Sequence, residues 1–126
     1  MSVLIKNGQV VTSTGSYKAD VYVEGDKFKT IGVGLEVKAD ETVDASGKYV
    51  LPGAIDPHTH IDMPFMGTTS SDDWKTGSIA AACGGTTSII DFSLQGKGES
   101  LQDAVERQKG QGNGKAVVDY SNPPGG

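Results

Sequence analysis

Apolar and polar residues alternate in short runs through the first fifty positions. Val3-Leu4-Ile5 and Gln9-Val10-Val11-Thr12 flank Asn7-Gly8, a pair that favours a tight hairpin turn. Asp20-Val21-Tyr22-Val23-Glu24 alternates strictly, as a strand with one buried face does. Gly25-Asp26 then turns the chain into Lys27-Phe28-Lys29-Thr30-Ile31, which alternates again. Thr42-Val43-Asp44 and Tyr49-Val50-Leu51 predict two further strands around an Ala45-Ser46-Gly47 turn. Short antiparallel strands separated by turn signals predict a β-sandwich or barrel segment over 1–52. So short a segment has a thin core and is expected to lean on other structure.

The pattern changes at Pro52-Gly53. Ala54-Ile55-Asp56 is a brief apolar segment, and a loop with Pro64 and Gly67 covers Asp62 to Ser70. Ser71-Asp72-Asp73 predicts a helix start, a serine cap followed by acids that suit the positive end of the helix dipole. The helix should run through Trp74 and Ile79 to Ala82 and stop at Gly84-Gly85. Trp74 is expected to anchor packing, and Cys83 to be a small buried residue. Thr86 to Phe92 is β-branched and nearly continuous, the mark of a buried strand. After a loop at Gly96-Lys97-Gly98, Ser100 and Asp103 open a second helix with apolar spacing at Leu101, Ala104 and Val105, continued by Gln108. Gly110, Gly112 and Gly114 should end it, and Ala116 to Tyr120 forms another strand. Residues 53–121 therefore read β-loop-α-β-α-β, the alternation that builds parallel sheets. Residues 122–126, Asn-Pro-Pro-Gly-Gly, are a turn-rich tail without periodicity.

Composition narrows the function classes. Acids exceed bases by 16 to 11, a formal net charge of −5, which argues against nucleic acid or an anionic membrane as partner. No run approaches the roughly 20 apolar residues of a membrane span. The first residues are too polar for a secretory signal. A single cysteine excludes an internal disulfide framework and suits a cytoplasmic setting. Glycine is frequent, 18 of 126 residues, so many tight turns are expected.

The chemistry concentrates at His58-Thr59-His60, which holds both histidines of the chain. On a strand, residues i and i+2 point to one face, so two imidazoles can lie side by side and serve Zn²⁺ or a similar ion. Pro57 restricts the strand just before them. Two ligands do not complete a zinc site, which takes three or four from the protein. Asp56, Asp62 and Asp91 are oxygen candidates; Asp56, two residues from His58, can share its face, but orienting a histidine or capping a turn is the better supported role for it. By spacing alone, a metal pair and two exposed loop histidines are equally supported.

Longer stretches carry more. Leu51-Pro52-Gly53-Ala54-Ile55-Asp56-Pro57-His58-Thr59-His60 resembles the metal-site entry of the amidohydrolase superfamily. With Ile61 to Thr68, Gly84 to Phe92, Asn113 to Tyr120 and the opening Leu4-Ile5-Lys6-Asn7-Gly8, residues 1 to about 121 resemble the N-terminal portion of the bacterial dihydropyrimidinase/D-hydantoinase family. Asp62 separates the chain from dihydroorotases and allantoinases, which typically carry Arg or Asn there. The paired histidines separate it from the non-catalytic neuronal homologues.

The resemblance implies a small β-sandwich segment over 1–52, followed from 53 to 121 by the first units of a (β/α)₈ TIM-like barrel, incomplete here. It implies a cytoplasmic, homo-oligomeric hydrolase of pyrimidine degradation acting on a small cyclic amide. Its site would hold two Zn²⁺ ions, bridged by hydroxide and a carboxylated lysine, with an aspartate passing the proton to the leaving nitrogen. His58 and His60 would be ligands of the more buried metal, and Asp56 would support them. Met63, Phe65 and Met66 would line the substrate loop, although ordinary loop packing serves equally for them. The lysine, the remaining histidines and the catalytic aspartate have no counterpart in these 126 residues, so the chain alone is expected to be inactive. A barrel of this type needs eight strands and about 250 residues. The tail departs from the family, as a frame change, an engineered scar or a truncation would. The alternative is a catalytically inactive product that at most binds metal or a partner chain.

Overall fold

The computed structural model describes residues 1–125; Gly126, the end of the expected tail, lies outside the described residues. The chain divides into two compact units, Met1–Pro52 and a second from Gly53 on.

In the first unit, β1 (Ser2–Thr12), β2 (Gly15–Glu24) and β3 (Lys27–Gly32) form an antiparallel meander. The turn expected at Asn7-Gly8 is not a turn. β1 runs straight through it, and the hairpin closes instead between Thr12 and Gly15. Asn7 adopts φ 64° at a register shift in the β1–β2 pair, so it makes a bulge. The cause is non-local: the Asn7 N–H donates to Asp20 Oδ1 at 2.8 Å, across the ladder.

The strands β4 (Glu41–Asp44) and β5 (Tyr49–Val50) correct the all-antiparallel expectation, since both pair with β1 in parallel. The sheet order is β3-β2-β1-β4, with β5 further along β1. Asp40 brings the chain back beside the N-terminus, its Oδ2 accepting from Ser2 N at 2.7 Å and from Ser2 Oγ at 3.0 Å. Val10, Ala19 and Val21 are the buried centre, with Ile5, Val23 and Val50 packed on them. Among the described residues this unit is a single sheet, one layer of the expected sandwich.

Asp20 is buried and also accepts from Leu35 N at 2.8 Å, so it joins the bulge to the segment after β3. The Asn7 hydrogen bond, with smaller help from Leu35 and the Lys6 charge, outweighs burial and holds its carboxyl below the ordinary value of 3.8. A depressed folded-state value gives stabilisation that is complete above the unfolded value and lost as pH falls through the folded one. Amide exchange at Asn7 and Leu35 should therefore be protected at pH 5 and lose protection below 3.8. Asp20→Asn should abolish that pH step; an unchanged step in the variant would remove Asp20 as its source.

The second unit contains β6 (Ala54–Thr59), α1 (Trp74–Cys83), β9 (Thr86–Asp91), α2 (Leu101–Gly112) and β11 (Asp119–Ser121). The strands form a parallel sheet in the order β11-β9-β6, each step crossing through a helix. Short pieces complete it: β7 (Pro64–Phe65) with β8 (Thr68–Thr69), and β10 (Ser93–Leu94) with β12 (Pro124–Gly125). The expected loop over 62–70 thus contains a small hairpin, with Met66 and Gly67 both at positive φ. Part of the expected tail is ordered against β10.

Four local expectations need correction. The cap of α1 is Asp73, not Ser71: Asp73 accepts from Thr76 N at 2.8 Å while Thr76 Oγ1 accepts from Asp73 N, a full capping box. Gly110 and Gly112 lie within α2, where Gly112 gives Tyr120 room that a Cβ would occupy, at 2.8 Å from Cζ. The last strand begins at Asp119, three residues late; Ala116 and Val118 reach the core without joining the ladder. Cys83 is exposed, on the outer side of the last turn of α1. Trp74 is fully buried and does anchor packing, within a core of Ile61 and Ile89 onto which Tyr120 also packs.

Candidate metal centre at the end of β6

β6 is an edge strand among the three, which is where a proline is tolerated. Pro57 cannot donate to the ladder, and the β6–β9 register shifts between Asp56 and Thr59. The strand thereby delivers His58 and His60, both exposed, to its C-terminal end. Their Nε2 atoms lie 3.1 Å apart and their rings meet edge to face, with centroids 4.9 Å apart. Phe92, just past β9, backs the pair at 4.6 Å from the His58 ring and 6.4 Å from the His60 ring.

The donor set fits half of a zinc site. Two nitrogens on one tetrahedral zinc, each at about 2.0–2.1 Å, lie roughly 3.3 Å apart, close to the observed 3.1 Å. The same separation suits one proton shared between two neutral rings. Among the described residues, no group of three or more His, Cys, Asp or Glu side chains is placed to hold a metal.

The carboxylates fall into separate roles. Asp56 Oδ1 accepts from the His58 backbone N–H at 3.2 Å, so it holds the stretch of β6 that presents the ring. Asp62 sits at φ 51°, just beyond the pair. Asp91 is fully buried, with both oxygens committed inward, which corrects its candidacy as a ligand. Its Oδ1 accepts from Ile61 N at 2.7 Å and from Thr59 Oγ1 at 2.9 Å; its Oδ2 accepts from Gln108 Nε2 at 2.8 Å. Gln108 Nε2 also donates to Ile61 O at 3.0 Å. The sequence signal for this cluster is Gln108, a polar residue on the inner stripe of α2.

The substrate-loop candidates are not gathered with the histidines. Phe65 and Met66 sit exposed on the β7–β8 hairpin. Met63 lines a hollow with Leu94 and Arg107, while His60 borders a different one with Asp56 and Asp72.

Comparison with known proteins places this geometry. No family model matches the chain. A D-hydantoinase of Geobacillus stearothermophilus is 53% identical over 120 residues, covering 95% of this chain and 26% of the relative. Dihydropyrimidinase 2 of Caenorhabditis briggsae is 46% identical over 121 residues, covering 95% and 23%. A crystal structure of dihydropyrimidinase from Brevibacillus agri superposes with a TM-score of 0.94 at 52% identity, over 98% of this chain and 27% of that one. The chain spans about a quarter of the length of these relatives. Over nearly its whole length, in sequence and in backbone alike, this chain is a relative of the D-hydantoinases and dihydropyrimidinases, matching their N-terminal portion.

Proposed function

We propose that this chain supplies the first two metal ligands, His58 and His60, of a zinc-dependent cyclic amidohydrolase that opens the ring amide of dihydropyrimidines or hydantoins. One observation carries the proposal: two imidazole Nε2 atoms held 3.1 Å apart at the end of a parallel strand, in a chain 53% identical to a D-hydantoinase. The βαβαβ order of the second unit then corresponds to the first units of a (β/α)₈ barrel, whose sites lie at the strands' C-terminal ends. The sheet of the first unit corresponds to a sandwich segment.

His58 and His60 would hold the metal, and Phe92 would keep their rings from turning away. Bound zinc supplies Lewis acidity, polarising the amide carbonyl and stabilising charge that develops on its oxygen. The Asp56 carboxylate fixes the backbone that carries His58. A cytoplasmic location is part of this proposal; among the described residues no helix is long and apolar enough to cross a membrane.

Zinc titration of the 126-residue chain, followed by calorimetry and by histidine ring NMR, tests the site. Saturable binding that perturbs both histidine rings is expected. Dihydrouracil and hydantoin should remain closed in the same samples, because these residues include no third histidine. Absence of ring perturbation would sink the metal assignment, and turnover abolished by His58→Ala would sink the expected inactivity, together with the alternative of an inactive product.

A further inference from the structure

We propose that Asp91, braced by Gln108, is a positioning residue that sets the relative placement of the His58 and His60 rings from behind the strand; the consequence for metal affinity rests on the pair being a zinc site. The two residues flanking His60 are both tied to one carboxylate oxygen, Thr59 through its hydroxyl at 2.9 Å and Ile61 through its N–H at 2.7 Å. The other oxygen is held by Gln108 at 2.8 Å, and the same Gln108 amide grips Ile61 O at 3.0 Å. The side chain before His60 and the backbone after it are therefore fixed by a cluster built from Asp91 and Gln108.

This bracing replaces ladder bonds that Pro57 and the register shift remove from the end of β6. The neighbouring Phe92 packs on the rings themselves, so the Asp91-Phe92 dipeptide supports the pair by backbone and by side chain. Asp91 and Gln108 are almost wholly buried, at 0% and 2% exposure, which shields the hydrogen bonds from competing water. A carboxylate suits the role because it accepts three hydrogen bonds and offers no donor to compete with Gln108. Asn in its place would turn an N–H₂ toward the Gln108 amide, or leave one of the three donors unpaired.

The test uses the full chain with Asp91→Asn, Gln108→Met, and the pair Thr59→Val and Thr59→Ser. Ser78→Ala is the control, since it removes a part-buried hydrogen bond from Val117 N without involving β6. Two signals are read: Zn²⁺ affinity, and the ring-nitrogen NMR pattern of the two histidines without metal. Asp91→Asn, Gln108→Met and Thr59→Val should weaken Zn²⁺ binding about 10- to 100-fold, the range for partners behind a metal ligand. They should also merge the two metal-free ring patterns into one. Thr59→Ser, which keeps the hydroxyl, and Ser78→Ala should leave both signals as they are.

If Asp91→Asn fails to fold, Gln108→Met and Thr59→Val decide. The proposal falls if Gln108→Met leaves the rings and the affinity unchanged, or if Ser78→Ala disturbs them as much. A wild-type chain that binds no Zn²⁺ would sink the metal assignment, while the metal-free ring pattern would still decide the positioning claim.

Discussion

Trp74→Ala is expected to cost the second unit about 3–5 kcal/mol, the range for deleting a large buried aromatic, and to leave much of it unfolded at room temperature. Trp74 is fully buried in the first turn of α1. It packs with Ile61, which follows the histidine pair, and with Ile89 at the centre of β9. Its ring centroid lies 4.7 Å from that of Tyr120 on β11. One side chain therefore joins the helix to residues on or next to all three parallel strands, and among the described residues no other buried aromatic shares the load. Domain stabilities run about 5–15 kcal/mol, and small units sit at the low end, so the loss consumes most of the reserve.

Trp74→Phe should cost much less. The indole N–H is buried without a partner, so phenylalanine removes an unsatisfied donor while keeping a ring against Tyr120. Denaturant unfolding followed by far-ultraviolet circular dichroism checks both variants, since the chain's sole tryptophan fluorophore is lost in each. An alanine variant within about 1 kcal/mol of wild type would mean the cavity collapses freely and that Trp74 is not the keystone of this core.

Strand alternation and glycine punctuation locate β3, β4, α1 and β9 to within about two residues, while β2 is found only in its second half, since it begins at Gly15 and not Asp20. Two of the failures share one physical form: a partner far along the chain decides a local choice. Asn7-Gly8 has the composition of a turn, yet Asp20, thirteen residues on, captures the Asn7 N–H and keeps β1 in one piece. Ala116-Val117-Val118 has the composition of a strand, yet Val117 N donates to Ser78 Oγ on α1, so the ladder starts later. The Asp73 cap is a different case, because its Asp-x-x-Thr signal is local and was outcompeted by a serine two residues earlier.

At the site, the histidine pair was legible because the strand period alone puts i and i+2 together. The Asp91–Gln108 brace was not, because it needs the β6–β9 register and the inner face of α2 at once. Nothing in a sequence period distinguishes an aspartate that faces the histidine pair from one that faces the core.

His58→Ala is expected to lower Zn²⁺ affinity by more than about 100-fold, beyond the range seen when only a partner behind a ligand is lost. His60→Ala should do the same. The reason is the donor count: with one imidazole removed, the end of β6 holds a single histidine, and the described residues offer no cluster of three acidic, histidine or cysteine side chains to compensate. The two losses should not add. The first removal already destroys the chelate, so the double variant should resemble either single one. Neither substitution should disturb folding much, because both rings are exposed and the core beneath them, Ile61, Trp74 and Ile89, is untouched. This separates His58→Ala from Trp74→Ala: one removes metal binding from a folded chain, the other removes the fold. Calorimetric zinc titration beside thermal melting reads the two effects independently. Retained affinity in a folded His58→Ala chain would show that the 3.1 Å pair shares a proton rather than a cation.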